Sequence, residues 1–511
     1  MIKKFFKSQK KISSENGFII PALLALIIAF STLIIVASDV ISNTLGNATR
    51  NQNSQIALNI AEAGVNYYLW HISHNATDYR DGQTTPTTPD PLYGYGPYVH
   101  DYVDGTGKIK GTYTLYIQPG ANGSNVTTVR AKGIPNGSPT ISRTIQTKIG
   151  APSFSTYAVV SNSELWFGST ELADGPVHSN VGVKMDGMNN SSVTSANSTY
   201  VPSWGSGNGS GTTRDGVWCD TSISTPNCAS RSKAAWRYPV PSVDFNKITT
   251  DLCGLKKTAT NNNVSNACAL RPTRTAGYIP PRQTSFSNSI GYLITLNTNG
   301  TYSLSNVNDE IDTRTSYTTA LSTTSIAANI AIPSNGVIFV EDNVWIRSES
   351  GGFDGRVTIA SARLAVTGET VATIADSMTY KDKYLGNDTI GIIAEDNIDL
   401  APYVPTPLEI QGALIAQGGR VQFRPRSNYN GNNTPGYIDP TKNLIFFGSI
   451  TSNEQWTWSW VRCGRQSTAC WSGFEYNETK YDENLRYSPP PNFPVTSTYD
   501  ILEWREIIAT P

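Results

Sequence analysis

The side chains able to do chemistry are few and scattered. There are four histidines, His71, His74, His100 and His178, and three of them precede the long β-rich region. His178 lies beside Ser179, but adjacent residues in a strand point to opposite faces, so the pair implies no nucleophile and base and His178 reads as structural. His71 and His74 share a helix face and could bind a metal together, with an exposed helix surface as the default reading. Asp342, Asp396 and Asp399 invite comparison with paired carboxylates that hydrolyse a glycosidic bond or hold calcium. Asp342 and Asp396, however, each stand in the same corner sequence, Glu341-Asp342-Asn343 and Glu395-Asp396-Asn397, and repetition at corners points to turn formation. Asp309, Glu310 and Asp312 lack the glycine and terminal Glu of a calcium loop. The run from Gly205 to Gly211 has no strand before it and no helix after it, so it reads as a flexible loop and not a phosphate cradle. Neither catalysis nor a cofactor nor a bound metal is expected.

The six cysteines form three close pairs, Cys219 with Cys228, Cys253 with Cys268 and Cys463 with Cys470. No pair has two-residue spacing and no histidine is near, which favours local disulfides over zinc in an exported chain. Trp456, Trp458 and Trp460 alternate along one strand. Exposed, they would make an aromatic platform for sugar rings or a protein; buried, they are core. A net charge of −1 with 15% charged residues gives no basic field for nucleic acid.

These groups must be positioned by elements that begin at the membrane. Lys3, Lys4, Lys7, Lys10 and Lys11 precede an uncharged apolar stretch, 18–37, long enough to cross a bilayer as a helix with the lysines inside. Removal of the whole stretch at the small residues Val36-Ala37-Ser38 is the alternative. Beyond it, Ile56, Ile60, Ala63, Tyr67 and Trp70 recur at helical spacing and predict one apolar seam. The polar segment 46–53 between them is expected to loosen the helix.

The basic leader ending in Gly17, the junction Gly17-Phe18 and the retained apolar helix resemble the class III leader of type IV pilin-like proteins. Gln55 to Val65, containing Ala61-Glu62-Ala63-Gly64, resembles the helix segment of PilX-type pilus assembly proteins. Together the two resemblances cover about the first 75 residues. They imply cleavage between Gly17 and Phe18 by a prepilin peptidase, an inner-membrane assembly platform, and other pilins and minor pilins as partners. Major pilins carry a Glu five residues into the mature chain, which pairs with the terminal amine of a neighbouring subunit; here Ala22 occupies that place. Its absence suits a filament tip. Pro21 falls in the first helical turn, where its missing N–H costs little. The resemblance implies a single-pass cytoplasmic membrane protein, N-terminus inside and C-terminal domain outside, reaching the pilus or cell surface after assembly.

The rest of the sequence predicts a mainly β chain. After a loop at 77–96, alternating strands around Tyr113 to Ile117, Val126 to Ala131 and Ile141 to Ile149 predict a small antiparallel, pilin-like module over 76–150. From 151 to 511, segments such as Val159 to Phe167, Ile338 to Ile346, Ile392 to Leu400 and Leu414 to Phe423 repeat strand, polar corner and strand. Their spacing, roughly twenty residues where uninterrupted, suits a parallel β-solenoid. A β-sandwich is the alternative. Residues 184–333 read as a surface insertion. The ending, with Tyr481-Asp482, Pro489 to Pro494 and Trp504-Arg505-Glu506, also resembles large PilX-type exported proteins, its prolines enforcing an extended tail that caps a solenoid end under Trp504. The expected function is a non-enzymatic minor pilin or tip subunit displaying a β domain toward surface glycans or partner cells. Two rivals are a membrane-anchored adhesin outside a filament and a polysaccharide-active enzyme.

Overall fold

The computed structural model describes residues 19–76, 78–120, 124–203, 211–222, 228, 235–262, 264, 266–282, 289–310, 321–364, 369–386, 388–424, 436–461, 470–495 and 499–508. Gly17 and Phe18 therefore lie outside the described residues, as does Cys463.

A helix α1, Ile19–His74, opens the chain and runs for 56 residues, a length of roughly 84 Å at 1.5 Å per residue. It does not loosen at 46–53. Gly46 sits inside it, and one glycine in a helix interior costs only about 1 kcal/mol. Every residue from Ile19 to Arg50 is exposed, including the apolar row Leu23, Leu24, Ile27, Phe30, Leu33 and Ile34.

The second half of α1 packs on an antiparallel sheet built from β1 (Tyr95–Val103), β2 (Ile109–Gln118), β3 (Thr127–Pro135) and β4 (Arg143–Gly150). Alternation in β2 and β3 sends Tyr113, Leu115, Ile117, Val129 and Ala131 inward. β1 begins within the stretch expected to be loop. The buried face of α1 consists of Ala57, Ile60, Ala61, Gly64, Val65, Tyr68 and Ile72. That face is rotated from the expected seam: Trp70 is exposed, and Ile56, Ala63 and Tyr67 flank the contact. Small residues explain the rotation, because they let the helix axis approach the sheet. A Cβ on Gly133 would lie 2.1 Å from the Ala57 carbonyl oxygen, and one on Gly64 would lie 2.9 Å from Cδ2 of Tyr113.

The large domain consists mostly of short parallel strands in two facing sheets. In stacking order the first sheet runs Trp236–Arg237, Val193–Ser195, Val177–Ser179, Val159–Ser161, Gly436–Ser452, Leu408–Ala416, Thr389–Ala394, Arg356–Ser361, Val337–Val340 and Tyr278–Ile279. Opposite lie Gly291–Leu296, Val344–Ser348, Ala372–Ile374, Ile398–Leu400 and Val421–Phe423, again parallel. The predicted segments Ile338 to Ile346, Ile392 to Leu400 and Leu414 to Phe423 each place one strand in each sheet, whereas Val159 to Phe167 sends its second strand, Leu165–Phe167, to a separate three-stranded sheet with Val183–Met185 and Val217–Trp218; inward side chains of these strands, among them Val159, Ile346, Ile359, Ile392, Leu400 and Ile450, share one core.

Stacking order departs from chain order at one place. The late strand Gly436–Ser452 pairs with the first, Val159–Ser161, through Ile450 with Val159 and Ser452 with Ser161. A column of small residues crosses this junction in register: Ser361, Ala394, Ala416, Ser452, Ser161, Ser179 and Ser195. Beside it, Asn162 Nδ2 donates to Asn453 Oδ1 at 3.0 Å and Asn180 Nδ2 donates to Asn162 Oδ1 at 2.8 Å. The corner asparagines Asn343 and Asn397 do similar work, each accepting from a backbone N–H of the next pass, that of Val371 at 3.1 Å and Arg420 at 2.8 Å.

Two expectations change. The stretch 184–333 is not simply a surface insertion: Val193–Ser195 extends the first sheet, Val217–Trp218 pairs with Val183–Met185 in the three-stranded sheet, and a helix α2, Asn246–Thr260, packs beside the Val337–Val340 strand. The extended C-terminal segment does lie along a sheet without joining its ladder, with Thr358 Oγ1 donating to the Pro491 carbonyl at 2.5 Å. It then runs on to Asp500–Ile507, which pairs antiparallel with β4 and completes the small sheet as its fifth strand among the described residues. The domain boundary at 151–511 is corrected accordingly: the last strand belongs to the helix-bearing module, and Trp504 is exposed on it.

Candidate functional site

Two surfaces are candidates, the bare half of α1 and the polar knot at its far end. Pro21 and Ala22 lie in the first turns of the exposed apolar segment. That segment is long and apolar enough to cross a membrane, and none of it is buried within the chain. With the membrane at its start, the C-terminal end of α1 is the distal end.

The distal knot is built from the last turns of α1, the loop behind it and β1. His71 Nε2 lies 3.0 Å from Asp78 Oδ2, and Asp78 also accepts from the N–H groups of Arg80 and Gly82. Burial alone would raise the Asp78 carboxyl; the donors of Arg80, Gly82 and His71 outweigh it and hold the group below its ordinary value. Asp81, in left-handed backbone at φ 54°, turns a fully buried carboxylate toward the Tyr67 hydroxyl at 3.0 Å and His100 Nε2 at 2.5 Å. Burial and then the Asp81 charge push the Tyr67 hydroxyl up to about 12. The rings of Tyr67, His100 and Tyr113 gather around this centre at 4.8 to 5.9 Å, His100 stacked on Tyr113 and Tyr67 tilted against both. His71 and His74 do not converge, because the His74 ring contacts the Trp70 carbonyl instead. Asp78, Asp81 and Gln83 were not singled out from sequence. The available signal was the tyrosine-rich setting of His100, with Tyr93, Tyr95, Tyr98 and Tyr102 close in the chain.

The remaining sequence candidates are dispersed. Cys219 with Cys228 and Cys253 with Cys268 are bonded, their Cα atoms 5.8 and 5.4 Å apart. The first ties a loop, whereas the second anchors α2, where Lys256 Nζ reaches Glu341 Oε1 at 2.6 Å and the Cys268 carbonyl at 2.9 Å. Cys463 with Cys470 falls partly outside the described residues. Trp456 and Trp458 are 3% and 1% exposed and meet edge to face at 5.5 Å inside the main core. Trp460 is half-buried, donating to the Phe423 carbonyl at 2.9 Å under the Arg420 guanidinium. No open row of three rings results, because burying two of them contributes more than leaving them wet.

His178 is buried between Thr194 and Asn180. Asp342 binds Arg282 and Arg363 at 2.6 and 2.5 Å. Asp399 is 6% exposed and accepts from Gln422 at 2.9 Å, and burial pushes its carboxyl up to about 6. A carboxyl so covered does not open onto a cleft for a polysaccharide. Glu310 pairs with Arg424 at 2.6 Å, Asp312 lies outside the described residues, and among the described residues no group of three or more His, Cys, Asp or Glu side chains is placed to hold a metal.

No known protein-family profile matches the chain, and no curated protein sequence matches it. Among solved structures, the competence-associated pilin ComZ from Thermus thermophilus aligns over 89% of this chain and 98% of its own, at 13% identity and a TM-score of 0.28. At that score the likeness carries no argument about function.

Proposed function

We propose that the chain is a non-enzymatic minor pilin, a tip subunit of a type IV pilus system, that displays its large β domain for adhesion or interaction. The supporting observation is the division of α1. Its first half offers an uncovered apolar surface, and its second half is fastened through Ala57, Ala61 and Gly64 to an antiparallel sheet. In lipid, the bare half is stored as a membrane span with every backbone group bonded internally. Extraction into a filament reburies it among the helices of other pilins. Ala22, apolar where a shaft subunit presents a carboxylate, suits a position with no neighbour to pair, and the bulk of the parallel-stranded domain, which we read as a solenoid, argues against dense packing along a shaft. A prepilin peptidase acting between Gly17 and Phe18 and an inner-membrane platform are the assembly partners of this reading.

Mass spectrometry of the mature N-terminus tests it. A chain beginning at Phe18 and present in sheared filaments is expected; a chain that keeps Met1 and stays with the cell envelope overturns the reading in favour of an anchored adhesin.

A further inference from the structure

Away from the stem, the C-terminal segment meets the turn before the strand Thr389–Ala394 at a knot of carboxyl groups. Asp388, 4% exposed, closes that turn: its Oδ1 accepts from the Gly355 N–H at 2.8 Å and its Oδ2 from the Asp382 N–H at 2.9 Å. Asp482, 1% exposed, enters from the C-terminal segment, and its Oδ1 accepts from the backbone and side-chain amides of Asn484 at 3.0 and 2.9 Å. Its Oδ2 has no hydrogen-bond partner. The two elements are closely docked, since a Cβ on Gly386, at φ 84°, would lie 2.4 Å from Cγ of Asn484.

Charge is out of balance here. The Asp382 side chain reaches that of Asp388, and its charge acts on Asp388 and Asp482 alike. Facing these three acids are the Arg356 guanidinium, the Tyr380 and Tyr481 hydroxyls and, from the C-terminal segment, the further acid Glu483. The one guanidinium is shared, because its Nη2 also donates to the carbonyl oxygens of Ser488 and Pro489. Lys381 is turned away to Asp354 at 2.7 Å. At Asp388 and Asp482 burial outweighs the amide donors and holds both carboxyls above their ordinary value. The three acids are not set around one point as ligands of a metal ion would be. Protons are left to offset the excess negative charge.

We propose that this knot is a proton-dependent clasp, which fastens the C-terminal segment to the turn at Asp382 and Asp388 while the acids hold protons and releases it once they ionise. That segment is the one that runs back to the stem as Asp500–Ile507. The clasp therefore regulates how firmly the return path is strapped to the large domain, whether or not the chain enters a filament. Because the folded carboxyls lie above the unfolded one, the clasp is complete below about pH 4 and is lost as pH rises through the raised values.

Hydrogen exchange of the purified full-length chain in detergent, corrected for the intrinsic effect of pH, reads the clasp through two amides of the C-terminal segment. The Asp482 N–H donates to the Gly448 carbonyl at 3.3 Å, and the N–H of the buried Leu485 donates to the Asp482 carbonyl at 3.1 Å. Their protection is expected to fall roughly tenfold or more between about pH 4.5 and about pH 7.5, while the Ile392 amide in the adjoining strand keeps its own. Asp382→Asn keeps the backbone donor to Asp388 and removes the charge that acts on both neighbours, so protection of the two amides is expected to stay nearly level across that range. No fall in the parent, an equal fall at Ile392, or the parent's fall retained in Asp382→Asn overturns the proposal. Protection at Ile392 also shows that the variant is folded. None of these readings depends on the N-terminal mass, so the clasp and the filament reading fail separately.

Discussion

Ser153 and Val495 face each other in an isolated antiparallel bridge where the chain enters and leaves the parallel-stranded domain. Alongside, the Phe154 N–H donates to the Pro494 carbonyl at 3.1 Å. Toward the stem the same two crossings become β4 and Asp500–Ile507, cross-linked by Lys148 with Glu503 at 3.1 Å and by Arg143 with Glu506. The large domain is thus an insertion between two neighbouring strands of the small sheet, held by a paired double strand.

Removing the chain beyond Val495 tests that arrangement. β4 would become an edge, Leu502 would no longer pack beside Gly150, and the amides of β4 that bond the last strand would lose protection. Hydrogen exchange should accelerate across Thr144 to Ile149 while the strand Ile398–Leu400 keeps its protection.

Gly133→Ala should force α1 off the sheet. Its Cβ would meet backbone atoms at 2.1 and 2.6 Å that cannot rotate away, for a cost on the order of 3 kcal/mol. Gly105→Ala, with nothing within 4 Å, should change the melting temperature little. Equal melting temperatures for the two variants would refute the close-approach account of the rotated helix face.

Lys256 and Glu341 form an ion pair with both side chains fully buried, and Glu341 also accepts from the Tyr278 hydroxyl at 2.5 Å. Lys256→Met leaves that carboxylate only the more distant, partly exposed Arg271 guanidinium at 3.5 Å and should cost up to roughly 3–5 kcal/mol. Adding Glu341→Gln should restore part of the loss, and urea unfolding of the two single variants and the double gives the coupling.

Asp399 supplies a pH test. Its folded value of about 6 exceeds the unfolded value of about 3.9, so the folded chain holds the extra proton between them. The stability this group contributes is therefore fully present below about 4, is lost as pH rises from about 4 to about 6, and changes no further above that. Asp399→Asn can keep the Gln422 bond and should raise stability by roughly 2–3 kcal/mol near pH 8, about half of that near pH 5 and little near pH 3. A variant with the same pH dependence as the parent would refute the assignment.

The membrane helix and the strand-corner-strand segments were readable because each rests on local periodicity: twenty apolar residues in one case, alternation around corners such as Glu341-Asp342-Asn343 in the other. The helix face was misread because large apolar residues, Tyr67 and Trp70, outweigh small ones in any periodicity argument, whereas contact with a sheet selects Ala57, Ala61 and Gly64. The pairing of Ile450 with Val159 and of Ile501 with Ile149 left no mark in sequence, since β partners remote along the chain share only an alternation that many strands possess. The Asp81, His100 and Tyr67 contact was hidden for the same reason, its members lying on three separate elements.

The junction between Gly436–Ser452 and Val159–Ser161 places the chain's attachment in mid-stack, with passes extending away from it on both sides. Growth of such a domain has two free directions. Passes gained or lost near Trp236 or near Tyr278 would change its reach without disturbing the footing on the stem.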